Sequence, residues 1–346
     1  MVSIDEVKDD IEHRQRVRRI SATVAALVIV VLTGAGATYL GFTLAEIVRQ
    51  FSSWTDFLAA FLSPDFTEFT VHSRQNDIGG INAFISSFLH PSTLLDSATL
   101  EWSGTLLLGS AVATIIIGFT GTVIGFPLAL TFGILGSERV TPFPFNFIFR
   151  GIMSTIRAVP ALVWILIYVP LVGITPVGAM LAVATDTIGN LGRLFTDELE
   201  EIDDGPIEAI ESTGGKRPQV VFFGMLSQVS NGFIAWTLYV LEINTRIAIS
   251  LGVVGAGGIG QYISLAIRGF RYGEAAAGIF VVIVIVLSVE MLSSRIRARL
   301  RPGEHESQGL LDSLRNLSEG DKWFGAGSGG RLRTNFSLLS DIFKFP

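Results

Sequence analysis

The chain has 346 residues, of which 49% are hydrophobic and only 16% charged, with a mean hydropathy of +0.54. A soluble domain carries about 25% charged residues, so this composition belongs to an integral membrane protein. No cysteine is present, which excludes disulfides and thiolate chemistry; the four histidines (His13, His72, His90, His305) lie far apart without ligand spacing, so no metal site and no nucleic-acid partner is expected.

A bilayer core of about 30 Å needs roughly 20 apolar residues as helix. A polar segment, 1–19, comes first, and six stretches then meet that length: 20–48, 102–134, 149–172, 174–196, 229–253 and 275–297. The fold class expected is therefore all-α, integral membrane, with six transmembrane helices. Small residues at 35–37 would allow a cleaved signal peptide, but the 19 preceding residues are long for one, and a retained anchor is the better reading. Between the first and second spans, 49–101 is rich in Trp54, Phe57, Phe61, Phe66, Phe69, Phe84 and Phe88. Aromatic rings favour the headgroup region, so helices lying on the membrane are expected there, compatible with a docking surface for an extracellular partner. After Arg301 the chain turns polar and Gly-rich; 301–346 reads as a partly disordered tail with one amphipathic stretch at Leu310, Leu311, Leu314 and Leu317.

Basic residues accumulate on the cytoplasmic side of membrane proteins. With the N-terminus inside, 19 of them are cytoplasmic, four are outside (Arg49, Arg74, Arg268, Arg271) and two lie within spans (Arg157, Arg246). A multi-pass protein of the cell membrane with both termini cytoplasmic is expected, and 198–228 falls in the cytoplasm.

That loop holds the most structured polar stretch, Glu208 to Gln228. Pro206 after Gly205 suits a helix start, where the missing N–H costs nothing. Gly214 and Gly215 suit its end, because glycine takes the left-handed conformation freely. A second helix starts at Lys216, Arg217 and Pro218 and runs into Val220 to Phe223. A soluble hairpin pinned between spans points to a partner protein on that side.

Glycines at Gly255, Gly257 and Gly260, with Gly258 between them, match a dinucleotide fingerprint, but that motif needs a strand before it and a helix after it. Here a membrane span precedes it, so close backbone approach near the outer face is the reading preferred. No Walker A motif occurs. Four ionisable residues lie at membrane depth: Arg157, Asp186, Glu242 and Arg246. Each costs about 2.5–3.5 kcal/mol at the bilayer centre, so such groups face the bundle interior and pair. Glu242 and Arg246 are one turn apart; Arg157 and Asp186 are in neighbouring spans. Structural bridging and an electropositive lining for an anionic solute both account for them.

These residues carry a resemblance. The chain is similar to permease subunits of ATP-binding-cassette importers, whose cytoplasmic loop reads E-A-A-x-x-x-G followed nine residues later by I-x-L-P. Glu208, Ala209, Gly214 and Leu226 match it; Ile210 replaces the second alanine, Gly224 the isoleucine and Ser227 the proline. RAVPALVWILIYV at 157–169, the stretch 187–215, YVLEINTRIAISLGVVGAGGIGQ at 239–261 and AIRGFRYGE at 266–274 resemble the phosphonate-type group. The methionine permeases share the glycine segment, but Glu242, Asn244 and Arg246 fit the phosphonate group better.

The resemblance implies the type I importer permease (MetI-like) fold over a core at 102–300, in a non-catalytic subunit that imports phosphonate, phosphate or phosphite. It implies a second permease copy in a homodimer, an extracellular solute-binding protein, and ATP-binding subunits that hold ATP and Mg, with no cofactor on this chain. Gly205, Pro206, Ile207, Glu208, Ala209, Ile210, Glu211, Gly214 and Leu226 would then dock on the ATPase. A methionine importer and an ion-coupled secondary transporter are the alternatives; no convincing internal repeat supports the latter.

Overall fold

A computed structural model describes residues 4–100 and 106–300, and every regular element among them is helical. In chain order these are α1 (Ile4–Tyr39), α2 (Leu44–Phe61), α3 (Val71–Gln75), α4 (Gly80–Phe88), α5 (Pro91–Leu100), α6 (Leu107–Gly136), α7 (Phe145–Ala158), α8 (Ala161–Val172), α9 (Pro176–Glu200), α10 (Gly205–Ser212), α11 (Arg217–Gln219), α12 (Leu226–Val253), α13 (Gly258–Arg268) and α14 (Tyr272–Leu300). A π-helical turn, Val220–Met225, joins α11 to α12. The tail 301–346, with its leucine stretch, lies outside the described residues.

Among the described residues, four helical stretches are long and apolar enough to cross a membrane: His13–Tyr39, Leu107–Gly136, Arg217–Arg268 and Tyr272–Leu300. Three of the expected spans take a different form. The first ends at Tyr39 instead of 48, because Gly41 at φ 74 turns the chain before α2 begins. The stretch expected as one span over 149–172 is two helices, α7 and α8, bent by 92°, and counts as a fifth span only if the pair is taken together. Pro160 causes the break: it has no N–H to donate, and its ring drives Val159 out of the helical region to φ −102, ψ 115. The stretch expected at 174–196 forms α9, 25 residues long, but Asp186, Arg193, Asp197, Glu198 and Glu200 keep it out of the purely apolar set. It remains compatible with a sixth span because its polar positions Asp186, Thr187 and Thr196 are buried.

The chain divides into two compact units. The first takes the described residues of Met1–Ile116, Ile174–Pro176 and Ala248–Ile283. Within it α3, α4 and α5 pack around an aromatic cluster in which Phe66 and Phe69 are only 1% and 3% exposed. Their rings meet Phe84 at 5.3 and 5.0 Å. Those two phenylalanines are therefore buried in a local core, whereas Trp54 and Phe88 are exposed. Thr70 caps α3, accepting from the Ser73 amide at 3.2 Å, and its hydroxyl meets that of Ser87 on α4 at 2.7 Å. The Asp65 amide donates to the Gly273 carbonyl at 2.9 Å, fixing this cap to the start of α14.

The second unit takes the described residues of Ile117–Gly173, Val177–Ile247 and Val284–Pro346. Here α6 and α9 approach so closely that a Cβ on Gly121 would stand 2.6 Å from Val183 Cγ1, and one on Gly125 2.5 Å from the Ala184 carbonyl oxygen. Small residues are the means by which membrane helices gain contact, since lipid gives no hydrophobic drive between them. Toward one end, Leu191, Phe195 and Leu199 of α9 pack with Ala129 of α6 and with Met225, Val229 and Phe233 of the π-turn and α12. Phe195 and Phe233 stack at 4.1 Å.

Candidate functional site

The hairpin expected at 208–228 is present. Pro206 lies in the first turn of α10. The helix ends in a Schellman arrangement: the Gly214 amide donates to the Glu211 carbonyl at 2.9 Å and the Gly215 amide to that of Ile210 at 3.1 Å. Gly214 sits at φ +81, where a Cβ would be strained. The Gln219 side chain accepts from the Lys216 amide at 2.8 Å and opens α11.

From Arg217 the helical backbone continues to Val253, as expected where Ser227 replaces the family's proline, with one π-turn in the path. Wide turns of this kind leave a carbonyl without its usual donor. Ser227 Oγ donates to the Phe223 carbonyl at 2.5 Å and Gln228 Nε2 to the Gly224 carbonyl at 2.8 Å, so two side chains supply donors to carbonyls of the turn.

Ile207 packs on the second unit's core beside Val221 and Leu226, while Glu208, Ala209 and Glu211 are exposed. Arg139 pairs with Asp204 at 2.5 Å, just before α10. Arg150 donates to the Gly136 carbonyl at 2.8 Å and pairs with Glu200 at the end of α9. Between α10 and the π-turn, a cleft of about 420 Å³ is lined by Arg139, Asp204, Ile207, Glu211, Arg217 and Val221, among others. One face of the hairpin is thus anchored and the other is open.

Of the four charges expected at membrane depth, Glu242 and Arg246 pair within α12 at 2.5 Å, as their spacing predicts. The pair is part of a larger group: Arg297 lies 3.5 Å from Glu242, and Glu290 lies 3.7 Å from Arg246. Glu290 and Arg297 belong to α14; the depth rule used for the other four would have found Glu290 inside the sixth expected span, whereas Arg297 is that span's last position and counts among the cytoplasmic basic residues. Arg297 also stands over the Tyr239 ring at 5.8 Å.

Arg157 and Asp186 do not bond directly. Arg157 Nε donates to Asn190 Oδ1 at 3.2 Å, and Asn190 Nδ2 donates to Asp186 Oδ2 at 2.8 Å. The amide acts as the link, a role that screening for ionisable residues passes over. Asn244, inside the Glu242–Arg246 stretch, is fully buried and donates to Thr122 and Thr187 hydroxyls at 2.7 and 2.8 Å, tying α12 to α6 and α9.

The glycine segment turns α12 into α13, helix on both sides. Gly255, Gly257 and Gly258 have φ of 100, 90 and 73. A Cβ on Gly252 would stand 2.6 Å from the Gly257 oxygen, and one on Gly260 would overlap the Ile249 carbonyl. The Thr114 hydroxyl accepts from the Ile259 amide at 2.8 Å.

Comparison with known proteins adds kinship to this geometry. Over 198 residues, 57% of this chain, it is 37% identical to the phosphate-import permease protein PhnE of Mycolicibacterium smegmatis; the match covers 37% of that relative's length. It is 29% identical over 191 residues to the phosphite transport system permease protein PtxC of Stutzerimonas stutzeri, covering 55% of this chain and 70% of that one. Among solved structures, a chain from the inward-facing MetNI methionine transporter is similar over 56% of this chain and 96% of its own, with 21% identity and a TM-score of 0.49. The family model for the inner membrane component of binding-protein-dependent transport systems matches residues 125–304, and that match carries the conclusion that this chain belongs to that family of multi-pass membrane permeases.

Proposed function

We propose that the chain is the permease subunit of an ATP-driven importer for phosphonate or a related phosphorus oxyanion such as phosphate or phosphite. The observation that carries the substrate class is the 37% identity to a permease named for phosphate import, backed by kinship to one named for phosphite. In this reading six spans place both termini in the cytoplasm, two copies form the pore, a solute-binding protein docks outside, and ATP and Mg reside on partner ATPase subunits.

The hairpin supplies the coupling. Glu208, Ala209 and Glu211 face the ATPase, and Ile207 transmits its movement into Leu226 and Met225, and through them to the core of α9 and α12. A displacement of α10 then cannot be absorbed locally, because the polar anchors Arg139–Asp204 and Arg150–Glu200 hold the neighbouring chain.

The test is reconstitution of the chain with its ATPase and binding protein in liposomes, comparing ATP-dependent uptake of phosphate, phosphite, methylphosphonate and methionine. Uptake of at least one phosphorus oxyanion is expected, and Glu208→Lys should abolish it while membrane insertion stays normal. Uptake of methionine alone overturns the substrate class. Unaltered uptake by Glu208→Lys overturns the coupling role.

A further inference from the structure

The break between α7 and α8 places unlike features within a few residues of each other. Arg157 lies in the last turn of α7, and α8 begins at Ala161. The cation stands at a helix C-terminus, where the macrodipole favours it. At the start of α8 the first amide to bond back is Val163, to the Pro160 carbonyl at 2.8 Å; Ala161 and Leu162 precede the first intrahelical donor. The Trp164 indole donates to the Ile156 carbonyl at 3.3 Å, supporting the bend.

The guanidinium is held at one edge only. Its Nε donates to Asn190, whose orientation is set by Asp186, a carboxylate 7% exposed. Its stem rests against Gly189: a Cβ there would stand 2.9 Å from Arg157 Cγ and 3.2 Å from the Arg157 amide nitrogen. The residue is nevertheless exposed in the single chain. An arginine at membrane depth that faced lipid would cost about 2.5–3.5 kcal/mol, which argues for an aqueous or liganded surface. Seating the stem in a glycine notch and tethering Nε leaves the paired Nη groups as a fork, the geometry that meets tetrahedral oxyanions in a bidentate manner. A structural bridge would instead bring the fork onto Asp186.

We propose that Arg157, tethered through Asn190 to Asp186 and seated on Gly189, is a substrate-contacting residue that binds a phosphorus oxyanion beside the α7–α8 break. Asn190 and Gly189 are positioning residues. The inference rests on the importer reading above and adds a site within the permease itself, separate from any selectivity exercised by a binding protein.

The experiment measures binding of ³²P-phosphate and of methylphosphonate, the latter by ³¹P line broadening, to the full-length chain with its ATPase in nanodiscs and without binding protein. Wild type should bind saturably. Arg157→Gln and Asn190→Leu should weaken binding about ten- to a hundredfold, as for loss of a charge-assisted contact. Arg157→Lys should recover only part, lacking the fork. Gly189→Ala keeps every charge but moves the stem, and should weaken binding without removing it. Wild-type affinity in Arg157→Gln, or wild-type protein that binds neither anion, overturns the proposal. If the liposome assay shows phosphorus oxyanion uptake while Arg157→Gln binds normally, this site fails and the importer reading stands; uptake of methionine alone makes that reading fail first. Should Arg157→Gln not fold, Gly189→Ala and Arg157→Lys carry the test, and normal binding in both is the overturning result.

Discussion

Ile210 on α10 fills the space that a side chain at Gly224 would occupy: a Cβ built on Gly224 stands 3.2 Å from Ile210 Cδ1 and 3.8 Å from Ile207 Cα. Two of the three departures from the family's loop pattern are thus complementary, a large residue on α10 facing a small one in the π-turn. Gly224→Ile alone should overfill the contact and cost about 1–3 kcal/mol, and Ile210→Ala alone should leave a void. The double variant should recover most of both losses. Thermal unfolding of the four proteins in detergent gives the coupling energy, and strictly additive effects would contradict the complementarity.

Gly214 closes α10 at φ +81 with two carbonyls of the helix satisfied by its own amide and that of Gly215. Gly214→Ala should destabilise the hairpin by about 1 kcal/mol, and Gly214→Asn by less, since asparagine tolerates the left-handed region. Gly215→Ala is a different failure: its Cβ would stand 2.6 Å from Ile210 Cγ2 and 2.8 Å from the Ile210 oxygen. Limited proteolysis between Ser212 and Lys216 should be faster in Gly215→Ala than in Gly214→Asn; the reverse order would contradict the steric argument.

The contrast between these sites and the rest shows what a single sequence makes legible. Hydropathy locates the apolar helices, and Pro206 and Gly214 mark α10 because proline and glycine act through local backbone geometry. The break at Pro160 is locally legible too, but its 92° angle is not. The π-turn at Val220–Met225 has no local signature, since its extra residue is stabilised by Ser227 and Gln228 one turn later. The link from Arg157 through Asn190 escapes because an uncharged amide carries no desolvation alarm, whereas Glu290 does carry it. Which residues pair across helices is a tertiary fact.

Asp65 lies outside the spans, and its carboxylate accepts from the Thr67 amide at 3.1 Å, the Thr67 hydroxyl at 2.6 Å and the Gly80 amide at 3.0 Å. Partial burial pushes its pKa up, but the hydroxyl and the two amides together outweigh that and hold it below the ordinary carboxylate value. A lowered folded pKa contributes stability that is complete above the unfolded value, about 3.9, and is lost as the pH falls through the folded one. Hydrogen exchange of the segment carrying Thr67 and Gly80 should therefore be pH-insensitive in protection between about pH 5 and 7 and should lose protection below about pH 4. Asp65→Asn should remove that acid transition; a transition of the same depth in the variant would assign it to another group.

Glu242 is the centre of the charge group on α12 and α14, with a side chain only 9% exposed, while Arg246 and Arg297 are 46% and 26% exposed. Removing the buried acid leaves two cations with weaker partners, and breaking a buried pair costs about 3–5 kcal/mol. Arg246 keeps Glu290 as a second partner, so Glu242→Gln should fall at the low end, about 3 kcal/mol. Glu290→Gln should cost far less, because its contact with Arg246 is 3.7 Å and its side chain is 36% exposed. Replacing Glu242 by Leu together with Arg297 by Met should be less damaging than Glu242→Gln alone, since it removes the charge and its buried partner at once. Unfolding midpoints in detergent decide the order, and a Glu290→Gln variant as unstable as Glu242→Gln would move the centre of the network from α12 to α14.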